Sequence, residues 1–186
     1  MAKVIIEVSA RHCHLSQKDL VKLFGKGCKL KVLKPLSQKG EFASKEEVVL
    51  KTKDGEMKLR VLGPARKKTQ VEISMTEARK LKINPPLRLS GDIKKSEKGI
   101  LIGPKGKITL KEGIIIAKRH IHCDPLTAKK LKLKQNQKVR VKTFGDRSLI
   151  FDNVIVRIDK SFVLRMHLDT DEGNASLVKN FSGEKL

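Results

Sequence analysis

The chain contains no tryptophan and no tyrosine, and its six phenylalanines bring the aromatic share to only 3% of 186 residues. Stacking platforms for single-stranded nucleic acid need such rings, so that mode of binding is poorly supported. Cysteine is equally scarce: Cys13, Cys28 and Cys123 are too few and too scattered for a disulfide framework, which points to a reducing compartment. No run approaches the roughly 20 apolar residues of a membrane helix. Met1 leads almost at once into the apolar stretch "VIIEV", too short a lead for a signal peptide. Acidic residues are outnumbered, 20 against 42 Lys and Arg, for a formal net charge of +22. Such a balance attracts polyanions, whether nucleic acid, an acidic membrane surface or a phosphorylated small molecule. The basic residues are spread along the chain rather than gathered in a tail, so a solvated Lys-rich surface is the plainer explanation.

Histidine is also rare, and its placement is informative. Four of the five histidines fall in two copies of Arg-His-x-His, in "SARHCHLS" (9–16) and "AKRHIHCD" (117–124). The fifth, His167, lies in "LRMHLDTDEGN" (164–174). In an extended strand, residues two apart share a face, so each His-x-His can offer both imidazoles to one ion while Cys13 and Ile121 point the other way.

Most apolar runs are short, β-branched and bounded by turn residues, among them "KVIIEVSA", "EEVVLKT", "MKLRVLG", "GILIGP", "KITL", "GIIIAKRH", "QKVRVKTF", "SLIFDNVIVRI" and "SFVLRMHLD". The connections "KDGE", "IGPKGK", "KEG" and "FGDR" carry turn chemistry, so the composition predicts β-barrels or sandwiches. Three short helices are predicted. One starts at Ser16 and stops at Gly25; one follows a Ser74/Glu77 capping box; one follows Asp124, with Pro125 at its first position. Each begins where a strand carrying a candidate ligand ends: His12 and His14, then Glu72, then His120 and His122. Two related β units are expected, each presenting a His-x-His strand end capped by a helix.

Imidazoles with a carboxylate and no clustered thiolates suit a zinc-type site with open positions. His167 sits on the polar side of "FVLRMHLD" with Arg165 and Asp169, while Phe162, Leu164, Met166 and Leu168 are expected to face the core. It is either a third imidazole ligand or a surface histidine. Glu72, an isolated carboxylate among apolar neighbours, is either paired or a ligand. Arg66, on the turn before it, can fork two hydrogen bonds to phosphate or carboxylate, or it belongs to an exposed basic turn. Cys13 has the wrong parity for the histidine face and is expected to be buried filler. Cys123 stands next to a helix start, which would lower its pKa, and is given no role.

With these residues in view, the sequence resembles the PduL-type phosphotransacylases, also called phosphate propanoyltransferases. The resemblance covers nearly the whole chain and is carried by "SARHCHLS", "LKPLSQKGEFA", "RVLGPARKKTQVEIS", "SGDI", "GPKGKITLKEGIIIAKRHIH", "LIFDNVIVRI" and "MHLDTDEGNA". It implies a mainly β fold of two β-barrel domains capped by short α-helices, with a dinuclear zinc site between them. By the same resemblance the barrels interleave in sequence: residues 1–25 and 115–186 form one, and residues 26–114 the other. His12, His14 and Glu72 would hold one zinc, and His120, His122 and His167 the second, giving two Zn2+ per chain. Arg66 matches the family's phosphate-contacting arginine and is the expected catalytic residue. Ser9, Ala10, Arg11, Arg60 and Asn174 match positions that contact coenzyme A. Members that work in bacterial microcompartments usually carry an amino-terminal targeting extension. Only a handful of residues precede the first strand here, which favours a soluble cytoplasmic enzyme with entry into a microcompartment lumen left open.

The expected reaction is reversible transfer of a short acyl group between coenzyme A and inorganic phosphate, with no membrane partner and a homodimer compatible with the sequence. The alternative is a basic β-barrel nucleic-acid-binding protein with structural zinc and no turnover, disfavoured by the missing aromatics. Metal-dependent hydrolysis of a phosphoester or amide would fit two zincs but leaves the positions matching coenzyme A contacts without a purpose.

Overall fold

The computed structural model describes residues 3–178 and 182–185. Among these, the first elements are β1 (Lys3–Ser9), β2 (His12–Ser16), α1 (Gln17–Phe24), β3 (Val32–Pro35), β4 (Phe42–Lys51) and β5 (Glu56–Arg66). The centre of the chain adds β6 (Gln70–Glu72), α2 (Met75–Lys80), β7 (Leu87–Arg88), β8 (Glu97–Gly103) and β9 (Gly106–Ala117). The last elements are β10 (His120–Cys123), α3 (Pro125–Lys130), β11 (Lys138–Lys142), β12 (Ile150–Ile158), β13 (Arg165–Asp169), α4 (Thr170–Ser176) and β14 (Ser182–Lys185).

The chain divides into two compact units. The first gathers Met1–Ala10, Ser37–Lys39 and Lys118–Leu186, and its strands close a barrel in the order β1-β13-β10-β12-β11-β14. The second gathers Arg11–Leu36 and Gly40–Ala117. Its pairings β4-β5-β2-β6-β9 return through β8 to β4, so six strands again close a circuit, with β3 appended to β4 and β7 to β9. The mainly β, two-barrel expectation therefore matches the architecture.

Residues 11–25 depart from the expected division. The resemblance groups them with the chain ends, yet β2 pairs parallel to β5 and antiparallel to β6, which places it and α1 in the central unit. Residues 115–117 likewise continue β9 in that unit. Strand pairing is a non-local choice, and the pattern of "RHCHLS" suits either sheet.

Local signals explain the helices. Ser16 accepts from the Asp19 N–H at 3.1 Å to open α1, and the helix ends at Gly25. Ser74 with Glu77 forms the expected capping box of α2, and Asp124 caps α3 by accepting from the Leu126 and Thr127 N–H groups. A fourth helix, α4, beyond the three predicted, has its own capping box, Asp169 with Glu172. "KEG" (111–113) is not a turn. β9 runs through it, and the register against β8 shifts there as a bulge.

Strand parity sorts the side chains as expected. Cys13 and Leu15 lie in the second unit's core with Leu20, Leu23, Leu50, Leu59, Val61 and Ile114. Ile121 and Cys123 lie in the first unit's core with Ile6, Val141, Val156, Met166 and Leu168. Phe162 departs from its expected place: it precedes β13 and stacks on His122, with ring centroids 3.9 Å apart. Among the described residues, no helix is long and apolar enough to cross a membrane.

Candidate metal centres and phosphate site

In the second unit, the antiparallel pairing of β2 with β6 sets His12 directly opposite Glu72, and His14 shares the same face. Ligand atoms of His12, His14 and Glu72 all lie within 4.8 Å of one another. Glu72 uses its two oxygens differently. Oε1 accepts from Gln70 Nε2 at 2.6 Å and from the Ser90 hydroxyl at 2.7 Å, while Oε2 lies 3.7 Å from His12 Nε2. Two donors on a tetrahedral zinc stand roughly 3.3 Å apart, so a 3.7 Å gap matches a pair arranged around an ion better than a direct hydrogen bond. His14 is buried, and its Nδ1 has no hydrogen-bond partner. Burial first, then the neighbouring His12 and Arg66, hold its pKa well below the ordinary histidine range, which keeps the ring neutral with a lone pair to give.

The first unit repeats the arrangement. β10 runs antiparallel to β13 with His120 opposite His167, and His122 completes a triad whose ligand atoms also lie within 4.8 Å. The rings crowd together, with centroids 4.6 Å apart for His120 and His122, 5.1 Å for His120 and His167, and 4.8 Å for His122 and His167. His120 Nδ1 lies 2.8 Å from the Lys118 carbonyl. A carbonyl can only accept, so Nδ1 carries the proton and Nε2 carries the lone pair. His167 is therefore not a surface histidine but part of a cluster.

Both donor sets fit zinc chemistry. Each joins three nitrogen or carboxylate donors on paired strands, without thiolates, and three protein donors leave a position open for exchangeable ligands.

Arg66 ends β5 opposite Ser16, two residues beyond His14. Between Leu62 and Arg66 the register against β2 jumps, a bulge within β5 whose Gly63 stays paired with Phe42 of β4. Gly63 is required there, because the Phe42 ring covers the space a Cβ would fill. Arg66 Nη2 donates to Glu41 Oε1 at 3.0 Å, and the guanidinium stays about one-third exposed.

The five positions matched to coenzyme A contacts divide between the units. Ser9 ends β1 opposite Asp169, followed by exposed Ala10. Exposed Asn174 rides on α4, which packs on β1 so closely that a Cβ at Gly173 would meet Val8 at 2.6 Å. In the second unit, Arg60 stands opposite His12 and pairs with Glu47 at 2.6 Å, while Arg11 donates to Glu77 at 3.0 Å.

Several partners were missed from sequence. Glu7 stands opposite His167; its Oε2 accepts from the Ser37 hydroxyl at 2.6 Å and lies 3.9 Å from His167 Nδ1. It is the one acidic residue of β1, which is the only local signal that could have flagged it. Gln70, Ser90, Glu41 and Phe162 gave no signal of their own, since each acts through a neighbour that pairing brings close. Cys123 also differs from expectation: burial and Asp124 push its thiol up to about 11, outweighing the adjacent helix start. Burial likewise pushes the Cys13 thiol far up. Glu172 is pushed up to about 7 by burial, with Arg119 pulling the other way.

Comparison with known proteins joins these features. The family model for phosphate propanoyltransferase matches residues 5–179, a span that includes both triads and Arg66. A phosphate propanoyltransferase of Thermotoga maritima is 46% identical over 177 residues, covering 94% of this chain and 84% of the relative. Those of Priestia megaterium and Listeria monocytogenes are 50% and 45% identical, over 94% and 92% of this chain and 81% of each relative. A match that runs through both barrels and every candidate ligand leaves one conclusion: the chain belongs to the phosphate propanoyltransferase family.

Proposed function

We propose that the protein is a zinc-dependent phosphate acyltransferase, moving a short acyl group reversibly between coenzyme A and inorganic phosphate with two zinc ions per chain. The observation that carries this is the pair of triads, His12/His14/Glu72 and His120/His122/His167, each with its donors within 4.8 Å. The relatives' shared name, phosphate propanoyltransferase, supports the reaction class. Zinc held by these two triads would supply Lewis acidity and an affinity for thiolate sulfur.

The chain's own residues do the rest. Arg66 holds phosphate by charge and forked hydrogen bonds, fixing the attacking oxygen beside the His14 triad. The same guanidinium faces negative charge as it develops on the reacting groups. The fully buried Cys13 and Cys123 thiols are unsuited to covalent catalysis, which favours direct attack by phosphate. Ser9, Ala10, Arg11, Arg60 and Asn174 are the proposed contacts to coenzyme A, and the net charge of +22 draws that polyanion in.

Thiol release from propionyl-CoA, measured with and without inorganic phosphate, tests the proposal. Release that requires phosphate and yields propionyl phosphate is expected. Release in water alone would indicate a hydrolase, and none at all alongside salt-sensitive DNA binding would favour a nucleic-acid-binding protein.

A further inference from the structure

The two triads share a structural plan that includes an ion pair coordination itself does not require. The residue before the first histidine is arginine in both, Arg11 and Arg119. The third donor, Glu72 or His167, is followed two residues later by a helix N-cap, Ser74 or Asp169. Three residues further stands the glutamate of that capping box, Glu77 or Glu172. In both copies this glutamate divides its oxygens in the same way. Oε2 accepts from the N-cap backbone N–H, at 2.9 Å from Ser74 and 3.4 Å from Asp169. Oε1 accepts from the arginine, at 3.0 Å from Arg11 Nη1 and 2.9 Å from Arg119 Nε.

The arginines are themselves held. Arg11 Nε donates to the Lys58 carbonyl at 3.0 Å. The Arg119 guanidinium lies over the Phe151 ring, 5.4 Å from its centroid, and its carbonyl accepts from the Ile155 N–H at 3.2 Å. These contacts sit where the strands run out. β6 is three residues long and ends at Glu72, while His12 and His120 are the first residues of β2 and β10. Pairing within these short strands stops at a donor, so the contacts just beyond the strand end help to set where that donor stands.

We propose that Arg11–Glu77 and Arg119–Glu172 are positioning pairs, each clamping the first histidine of a triad to the helix cap just beyond the third donor and so fixing donor spacing for zinc. The proposal rests on the zinc assignment above. It gives both halves of the Arg-His-x-His motif a purpose, the histidines as donors and the arginine as their tether. It also accounts for a glutamate at the third position of α2 and α4. A partly buried ion pair adds little net stability, so its benefit lies in geometry.

Glutamine at these positions keeps the capping-box acceptor but removes the charge that holds the arginine. Glu172→Gln is measured in a His12→Ala/His14→Ala parent, which retains one triad; Glu77→Gln is measured in a His120→Ala/His122→Ala parent. Zinc affinity is read by competition with a chromogenic chelator at a pH well above 7, where both glutamates are ionised, and folding by circular dichroism. Each Gln variant is expected to bind zinc roughly tenfold more weakly than its parent, with an unfolding midpoint no lower. Arg119→Met should match Glu172→Gln, and the double variant should be no worse than either single change. Unchanged zinc affinity, or a loss that appears only together with unfolding, overturns the clamp. A parent that takes up no zinc in its remaining triad overturns the metal assignment itself, and the clamp with it.

Discussion

Arg66 stands at the end of β5 with Glu41 on one guanidinium nitrogen and the His14 ring as an electrostatic neighbour. Arg66→Lys keeps the charge but loses the fork, and Arg66→Ala loses both. Removing a hydrogen bond to a charged group at a reacting centre costs on the order of 2–4 kcal/mol, or about 30- to 1000-fold in rate. Steady-state kinetics should therefore show a lower kcat and a raised KM for phosphate, with the KM for acyl-CoA moving much less. Unchanged phosphate kinetics would remove Arg66 from the site. Glu172 gives a second residue-scale outcome. Its folded pKa of about 7 lies above the ordinary value of 4.5, so the folded state binds the extra proton between those limits. Its contribution to stability thus falls as pH rises from about 4.5 to 7, by on the order of 2–3 kcal/mol. In zinc-free protein unfolded with urea, Glu172→Gln should gain by that amount relative to wild type between pH 5 and pH 8. Circular dichroism must follow the transition, since the chain has no tryptophan. Parallel pH profiles would contradict the assignment.

At the scale of elements, the two-residue alternation of strands made the donor faces readable. "RHCH" placed His12 and His14 on one side and Cys13 on the other, and the structure buries Cys13 fully in the core. Cys13→Ala should accordingly cost about 1 kcal/mol in stability and leave kcat within twofold, whereas a nucleophile would lose activity outright. Three helix starts were legible because Ser16, Ser74 and Asp124 are local caps. The fourth, Asp169 with Glu172, is an equally local capping box, masked because Asp169 also reads as the last residue of the strand that carries His167. The home of β2 was also hidden: its partners Arg60 and Glu72 lie far along the chain, and pairing at that distance leaves no periodic trace. Glu7, Gln70 and Ser90 escaped for the same reason, since each matters only through a donor brought near by strand register.

For the whole molecule, the repeated Arg-His-x-His unit told of two related halves, and the resemblance implied an interleaved division, whereas the compact units divide at residues 1–10, 37–39 and 118–186 against 11–36 and 40–117. The charge of +22 acts at long range, and screening shortens its reach to about 10 Å at 0.1 M salt. The KM for acyl-CoA should rise several-fold between about 20 mM and 300 mM potassium chloride, while kcat changes little. A salt-independent KM would show that the basic surface has no part in substrate capture. The central claim joins the two triads to the reaction, and a zinc titration of metal-stripped protein tests it most directly. Phosphate-dependent thiol release from propionyl-CoA should be absent without zinc and climb until two equivalents per chain are bound. Full activity in the stripped protein, or saturation at a single equivalent, would contradict it.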